Sequence, residues 1–125
     1  MRLIDRLRAA AKKASVHKSQ IMESMGLVLR LKQGAYDEYK RRHDELWPEL
    51  AQALEVNEIS MVIYCFDGLL FVHQIAPSRE AWSRMNQLPV TARWNCFMAE
   101  VLETDDNGNV NFQELPLTFA FGAFK

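Results

Sequence analysis

ISMVIYCFDGLLFVHQI, residues 59–75, is the stretch that decides the fold. Two apolar runs rich in β-branched and aromatic residues flank the dipeptide Asp67-Gly68. An Asp-Gly pair in that position is typical of a two-residue β-hairpin loop, since the tight turn needs a positive φ at both residues. The stretch therefore predicts strands at residues 59–66 and 69–75. The predicted cross-strand pairs are Phe66 with Leu69, Tyr64 with Phe71, and Val62 with His73.

Successive side chains on a strand point to opposite faces, so the hairpin divides its residues into two sets. We expect one face to hold Tyr64, Phe66, Phe71 and His73, and the other face to hold Met61, Ile63, Cys65, Leu70 and Val72. Both sets are largely apolar. We therefore expect both faces to be covered, one by helices and the other by a partner subunit or by the interior of a closed barrel.

The segments around the hairpin supply further strands and helices. Residues 26–32 are rich in Leu and Val and predict a first strand. Leu46, Leu50 and Leu54 recur at steps of four and should face the core. The predicted helices are residues 34–43, residues 48–56 after a cap at Asp44 and a first-turn proline at Pro48, residues 79–85 after Pro77-Ser78, and residues 89–102 from Pro89. A polar loop at residues 105–109 then precedes a predicted last strand at residues 117–124.

The order strand, helix, strand, strand, helix, strand predicts an α+β fold. It is the order of the ferredoxin-like split βαβ domain with an antiparallel sheet. Helices on one face of a four-stranded sheet leave the other face bare. Apolar residues on that face favour back-to-back association of two chains into a dimeric α+β barrel, so we expect a homodimer.

Composition bounds the class of protein. A chain of 125 residues has the length of one domain, and 49% hydrophobic with 25% charged residues is ordinary for a globular protein. The net charge of -1 argues against nucleic acid as a partner. No apolar run approaches the length of a membrane span, so we expect no stable membrane association. Cys65 and Cys96 match neither a metal-site spacing nor a disulfide framework, which favours a cytoplasmic protein without a metal.

The first 24 residues differ from the remainder in charge. They hold six Lys or Arg and two acidic residues, a net charge of +4, which leaves -5 for the other residues. Leu and Ala recur there at helical steps. We expect a basic helical extension at residues 1–24, packed on the domain or on a neighbouring subunit, and a folded domain at residues 25–125. A membrane-surface helix or a transit peptide is the alternative.

The segment YKRRHDELWPEL, residues 39–50, holds the candidate chemistry. Tyr39, His43 and Trp47 follow one another at steps of four, which aligns side chains on one face of a continuous helix. Tyrosine and tryptophan can stack on a small polar ring and hydrogen-bond to it, and histidine titrates near neutral pH. If the helix breaks before Pro48, the Tyr39–His43 pair survives and the step to Trp47 does not. Taken alone, the pattern is also typical of ordinary core packing.

A resemblance to a known family favours the functional interpretation. Tyr39-x-x-x-His43, followed by Trp47-Pro48-Glu49-Leu50 and later by Arg93-Trp94, resembles the signature of the L-rhamnose mutarotase family over about residues 26–121. The resemblance implies the ferredoxin-like fold and a mutarotase that acts on a monosaccharide without a cofactor. It implies that His43 is the catalytic, proton-donating residue. It also implies that Tyr39, Trp94 and Tyr64 bind the substrate.

Two positions depart from the family pattern. The family usually has a second tryptophan after Trp94, where this chain has Asn95. It also tends to have an aromatic residue three positions before Tyr64, where this chain has Met61. Asn95 could hydrogen-bond a hydroxyl group on which an indole would only stack. These changes leave open which sugar is the substrate, since L-rhamnose is a deoxy sugar with a methyl group.

Mutarotation interconverts the α and β anomers of a reducing sugar by ring opening and closure. It needs a group that both accepts and donates a proton near neutral pH, which favours His43. His73 is a weaker candidate because a strand histidine is more often structural. Two alternatives stay open: a non-catalytic sugar-binding or interaction protein, and a haem- or oxygen-handling monooxygenase of the dimeric α+β barrel type with His43 or His73 as ligand.

Overall fold

The computed structural model describes residues 22–124. Its strands are β1 (Glu23–Arg30), β2 (Ser60–Phe66), β3 (Leu69–Ala76) and β4 (Phe112–Leu115). Its helices are α1 (Tyr36–Asp44), α2 (Pro48–Val56), α3 (Arg79–Asn86) and α4 (Pro89–Met98), and a 3₁₀ turn spans Gly122–Phe124. The strands form one antiparallel sheet in the order β2-β3-β1-β4. This is the ferredoxin-like arrangement, and the predicted fold class is confirmed.

The predicted hairpin and its register are confirmed. Phe66 pairs with Leu69, Tyr64 with Phe71, and Val62 with His73. The loop residues Asp67 and Gly68 have φ values of 53° and 76°, the positive values that this turn requires. β1 then pairs with β3 along its whole length, which places the hairpin at one side of the sheet and β4 at the other.

The break between α1 and α2 occurs where the sequence predicted it, but Asp44 has a different role. Asp44 is the last residue of α1, and the N-cap of α2 is Trp47. Pro48 disfavours helical geometry at the residue before it, and Trp47 has an extended backbone with φ of -60° and ψ of 129°. The cap therefore lies directly before the proline rather than four residues earlier.

The C-terminal third of the chain differs most from the prediction. α4 ends at Met98, because the following residues turn back toward β1: Leu102 forms a bridge with Leu31, and the Glu103 amide donates to the Arg30 carbonyl at 2.8 Å. The last strand is Phe112–Leu115, paired with β1, and the predicted strand at residues 117–124 is wrong. Residues 117–124 have an apolar sequence but no strand partner within the described part of the chain.

The helices cover one face of the sheet, and the core lies between the helices and that face. Its fully or mostly buried members come from β3 and from all four helices, and they include Leu50, Leu70, Ala81, Trp82, Met85, Val90 and Met98. Leu46 and Leu54 pack against this core, as predicted. None of α1–α4 lies over the opposite face, the bare face, where Val62, Tyr64, Phe66 and Phe71 are all exposed.

The predicted basic extension lies almost entirely outside the described residues. β1 begins at Glu23, so the first strand starts three residues before the predicted residue 26 and includes the end of the predicted extension. Among residues 22–124, no helix has the length and apolar character needed to span a membrane.

Candidate active site

A cavity of about 560 Å³ lies between the sheet and the helices. The covered face of the sheet supplies apolar side chains, among them Leu27, Leu29 and Val72. α1 supplies Tyr39 and His43, and α4 supplies Thr91, Trp94 and Asn95. The cavity is therefore a mostly apolar pocket with a small number of polar groups on its helical side, which is the usual character of a small-molecule site.

His43 lies one helical turn after Tyr39 and is oriented by the backbone. Its Nδ1 lies 3.0 Å from the Tyr39 carbonyl oxygen. A carbonyl oxygen can only accept, so Nδ1 must hold the proton and donate it to this bond. In the neutral imidazole, Nε2 is then the unprotonated nitrogen. The ring therefore has a fixed tautomer with one basic nitrogen free to act on a bound molecule.

Burial sets the protonation state of His43. Loss of hydration lowers the pKa of His43 below its usual value of 6.5, and this effect exceeds the opposing influence of the Tyr39 hydrogen bond and the Asp44 charge. The imidazole is thus mainly neutral at pH 7. A neutral histidine with a defined tautomer can accept a proton through Nε2 and return it.

Tyr39 stacks beside His43 as the four-residue spacing predicted. The two ring centroids lie 4.2 Å apart, and Tyr39 is only 6% exposed. Burial, with a smaller contribution from Cys65, raises the pKa of Tyr39 well above its usual value of 10. The phenol therefore keeps its proton at neutral pH and can serve as a hydrogen-bond donor but not as an acid that ionises.

Trp94 packs against His43 on the other side from Tyr39. Its ring meets His43 edge to face at 5.2 Å and meets Trp47 edge to face at 5.0 Å. Because the helix breaks before Pro48, His43 and Trp47 do not lie one turn apart on the same helix, as expected. Both side chains nevertheless reach Trp94, because α4 packs beside the α1–α2 junction.

Arg42 joins α1 to α4. It was not predicted from the sequence to be a site residue, because helical spacing places Arg42 on a different helix face from Tyr39 and His43. Its side chain is largely buried, with Nη1 donating to the Phe97 carbonyl at 2.6 Å and Nε donating to Glu38 at 2.7 Å. The guanidinium also lies 3.9 Å from the centre of the Phe97 ring. These contacts join the helix that holds His43 to the helix that holds Trp94. An arginine directly before a candidate catalytic histidine is the only sequence signal for this contact.

Met61 and Asn95, the two departures from the family pattern, both line the cavity. Met61 belongs to the covered face of β2, and Asn95 follows Trp94 on α4. The two positions whose residues leave the identity of the sugar undetermined are therefore wall positions of the pocket that contains His43.

Tyr64, which the resemblance assigns to substrate binding, does not line this cavity. It is 67% exposed on the bare face of the sheet. Met61 lies three residues earlier on the same strand, and an odd separation places two strand residues on opposite faces. His73 is also on the bare face, where its Nε2 lies 2.9 Å from the Ser24 hydroxyl. The structure thus brings together Tyr39, His43 and Trp94 and separates them from Tyr64 and His73.

The described residues include no group of three or more His, Cys, Asp or Glu side chains placed to hold a metal ion. The polar groups that line the cavity with His43 are mostly neutral hydroxyl, amide and indole groups, with one carboxylate at Glu114. Such groups suit a neutral, hydroxyl-bearing ligand, and aromatic rings suit the faces of a sugar ring.

Known proteins resemble this chain over most of its length. The sequence model of the L-rhamnose mutarotase family matches residues 24–121. An L-rhamnose mutarotase of Burkholderia orbicola is 37% identical over 90 residues, which cover 70% of this chain and 86% of the relative. An L-rhamnose mutarotase of Bacillus subtilis is 32% identical over 89 residues, which cover 69% of this chain and 86% of the relative.

A solved structure shows the same arrangement. The crystal structure of an L-rhamnose mutarotase from Formosa agariphila superposes with a TM-score of 0.69 at 27% sequence identity. The superposition covers 80% of this chain and 99% of the other. The similarity therefore includes nearly the whole of the related protein.

Proposed function

This chain belongs to the L-rhamnose mutarotase family, and we propose that it interconverts the α and β anomers of a pyranose in the cavity beside His43. It is an enzyme of the sugar mutarotase type, an isomerase that acts on carbohydrates. The observation that most supports His43 as the acid/base group is its hydrogen bond to the Tyr39 carbonyl. That bond leaves Nε2 basic at a wall of the cavity.

The proposed reaction begins with His43 in its neutral form. Nε2 accepts the proton of the anomeric hydroxyl group, the C1–O1 bond becomes a carbonyl double bond, and the bond between C1 and the ring oxygen breaks. The imidazolium then gives its proton to the departing ring oxygen, which yields the open-chain aldehyde and neutral His43. Rotation about C1–C2 presents the other face of the aldehyde, and the reverse steps close the ring. No net proton is gained or lost.

Tyr39 and Trp94 have supporting roles in this proposal. The raised pKa of Tyr39 disfavours the phenolate, so the phenol donates a hydrogen bond to the sugar without transferring its proton. The Trp94 indole lies beside the imidazole, and contact with the indole orients the sugar ring for proton transfer. Holding the anomeric carbon next to Nε2 converts a bimolecular step into one within a complex.

NMR exchange spectroscopy on a panel of reducing sugars, L-rhamnose included, tests this function. We expect the wild-type chain to accelerate anomer exchange of at least one sugar. His43→Ala should lower that acceleration by about a hundred- to ten-thousandfold, which is the usual contribution of general acid–base catalysis. His73→Ala is the matched control, since this histidine lies on the opposite face of the sheet.

The outcomes separate the candidate functions. Loss of exchange in His43→Ala, with the fold retained and the His73→Ala variant active, supports the proposal. Full exchange in His43→Ala would contradict the acid/base assignment. Saturation transfer from the protein to a sugar without any anomer exchange would instead indicate a sugar-binding protein.

We also infer that the chain forms a homodimer through the bare face of its sheet. That face exposes the aromatic side chains Tyr64, Phe66 and Phe71, and the C-terminal segment adds exposed Leu117, Phe119 and Phe121. An apolar surface of this kind is usual at an interface and unusual on a monomer. The two free and exposed thiols, Cys65 and Cys96, favour a reducing compartment such as the cytoplasm.

A further inference from the structure

One hydroxyl group in the wall of the cavity has no hydrogen-bond partner. Thr91 is 9% exposed, and its Oγ1 is buried without a partner among the described residues. A buried polar group in this state is costly, and most such groups in native proteins are satisfied by protein, water or ligand. Thr91 lines the cavity, so a hydroxyl group of a bound ligand can supply the missing partner.

Asn95 offers a second polar group on the same side of the cavity. It follows Thr91 by four residues on α4, so the two side chains lie on one face of the helix. Asn95 lines the cavity and is exposed. An amide has two donor hydrogens and an acceptor oxygen, which matches the mixed donor and acceptor character of a sugar hydroxyl.

Gln74 offers a third polar group from the sheet, and a neighbouring tryptophan fixes its orientation. The Trp82 indole nitrogen donates to Oε1 of Gln74 at 3.0 Å. An indole N–H is only a donor, so the amide oxygen must face Trp82 and the NH₂ group must point elsewhere. Gln74 lines the same cavity, and its NH₂ group is therefore available as a donor to a ligand.

The charges around the cavity favour a neutral ligand. Glu114, a carboxylate at the cavity wall, is paired with Arg79 at 2.8 Å. Lowering of the His43 pKa by burial leaves the imidazole mainly uncharged at pH 7. The remaining polar groups are hydroxyl and amide groups, which recognise hydroxyl groups rather than phosphates or carboxylates.

We propose that Thr91, Asn95 and Gln74 form a hydroxyl-binding subsite that favours a hexopyranose with a C6 hydroxyl over its 6-deoxy counterpart. This specificity rests on the proposed function, because it concerns the sugar held beside His43. A methyl group in the subsite leaves the polar groups unpaired, whereas a hydroxyl group can pair with them. A site built to bind a hydroxyl group discriminates strongly against the analogue that lacks it.

L-mannose and L-rhamnose provide the test, since they differ only by the hydroxyl group at C6. We expect the wild-type chain to exchange the anomers of L-mannose with a kcat/KM about ten- to a hundredfold higher than for L-rhamnose, as one unpaired buried polar group would produce. Thr91→Val, which replaces a hydroxyl with a methyl of nearly the same shape, should reduce this ratio by about tenfold. Asn95→Leu should reduce the ratio in the same direction.

Thr104→Val is the matched control, because Thr104 does not line the cavity and its substitution should leave the ratio unchanged. A wild-type preference for L-rhamnose would overturn the subsite. So would an unchanged ratio in folded Thr91→Val and Asn95→Leu. These results remain distinct from failure of the mutarotase function, in which neither sugar would exchange and His43→Ala would have no effect.

Discussion

The two faces of the sheet have nearly the same composition and opposite surroundings. On β3, Leu70 is 1% exposed beneath the helices, while Phe71, the next residue, is 37% exposed on the bare face. The covered face has the cavity, the neutral histidine and the aromatic groups around it. The bare face has exposed aromatic residues, and none of the helices α1–α4 lies over it. Apolar sequence on both faces thus lines a cavity on one side and leaves an exposed apolar surface on the other.

The histidines of the two faces illustrate the same contrast. His43 donates to a backbone carbonyl and is half-buried, so loss of hydration lowers its pKa. His73 on the bare face is joined to the Ser24 hydroxyl and lies 5.1 Å from the Phe124 ring. The residue type is the same, and the surroundings place only His43 at the wall of the cavity.

The largest stability effect should come from the covered face. Leu70→Ala removes a fully buried side chain in contact with the helix-covered core, so we expect the free energy of unfolding to fall by about 2–5 kcal/mol. Urea denaturation followed by circular dichroism measures this loss. Phe66→Ala on the bare face is the comparison variant, and at concentrations where the chain is monomeric it should cost less than about 0.5 kcal/mol. Equal losses at the two positions would contradict the difference between the faces.

A smaller effect should appear in association. Phe66 is 74% exposed in the single chain, and burial of a phenylalanine at an interface stabilises it by about 1.5–3 kcal/mol. Phe66→Lys should therefore raise the dimer dissociation constant by about ten- to a hundredfold. Sedimentation or light scattering across a concentration series measures this change. A wild-type chain that stays monomeric at high micromolar concentration would contradict the proposed homodimer.

The smallest effect should be in the pH dependence of exchange. In the proposed mechanism neutral His43 is the base, and burial lowers the pKa of His43 below 6.5. The base form therefore persists as the pH falls through 6.5, and the rate of anomer exchange should decline only at lower pH. An ordinary histidine would already be half protonated at that pH. Rates measured between pH 5 and 8 test this, and a decline centred above pH 6.5 would contradict a desolvated, neutral His43.

Local signals in the sequence were sufficient for much of this structure. The Asp67-Gly68 turn determined the hairpin and its register, and Pro48 determined the break between α1 and α2. The Tyr39–His43 pair followed from helical spacing alone. The predicted strand at residues 117–124 failed because an apolar run does not reveal whether a partner strand exists. Only the pairing of Phe112–Leu115 with β1 decided which segment completes the sheet.

The candidate site depended on both the sequence and the tertiary structure. By itself, the sequence determined the residue types, the turn chemistry and the short-range spacing, because these depend on the steric limits and hydrogen bonds of neighbouring residues. The tertiary structure decided which sheet face the helices cover, and so placed Met61 rather than Tyr64 in the wall of the cavity. It also brought Trp94 and Gln74 to the site from distant segments and joined Arg42 to Phe97, since packing between helices and sheet joins residues that no local pattern connects.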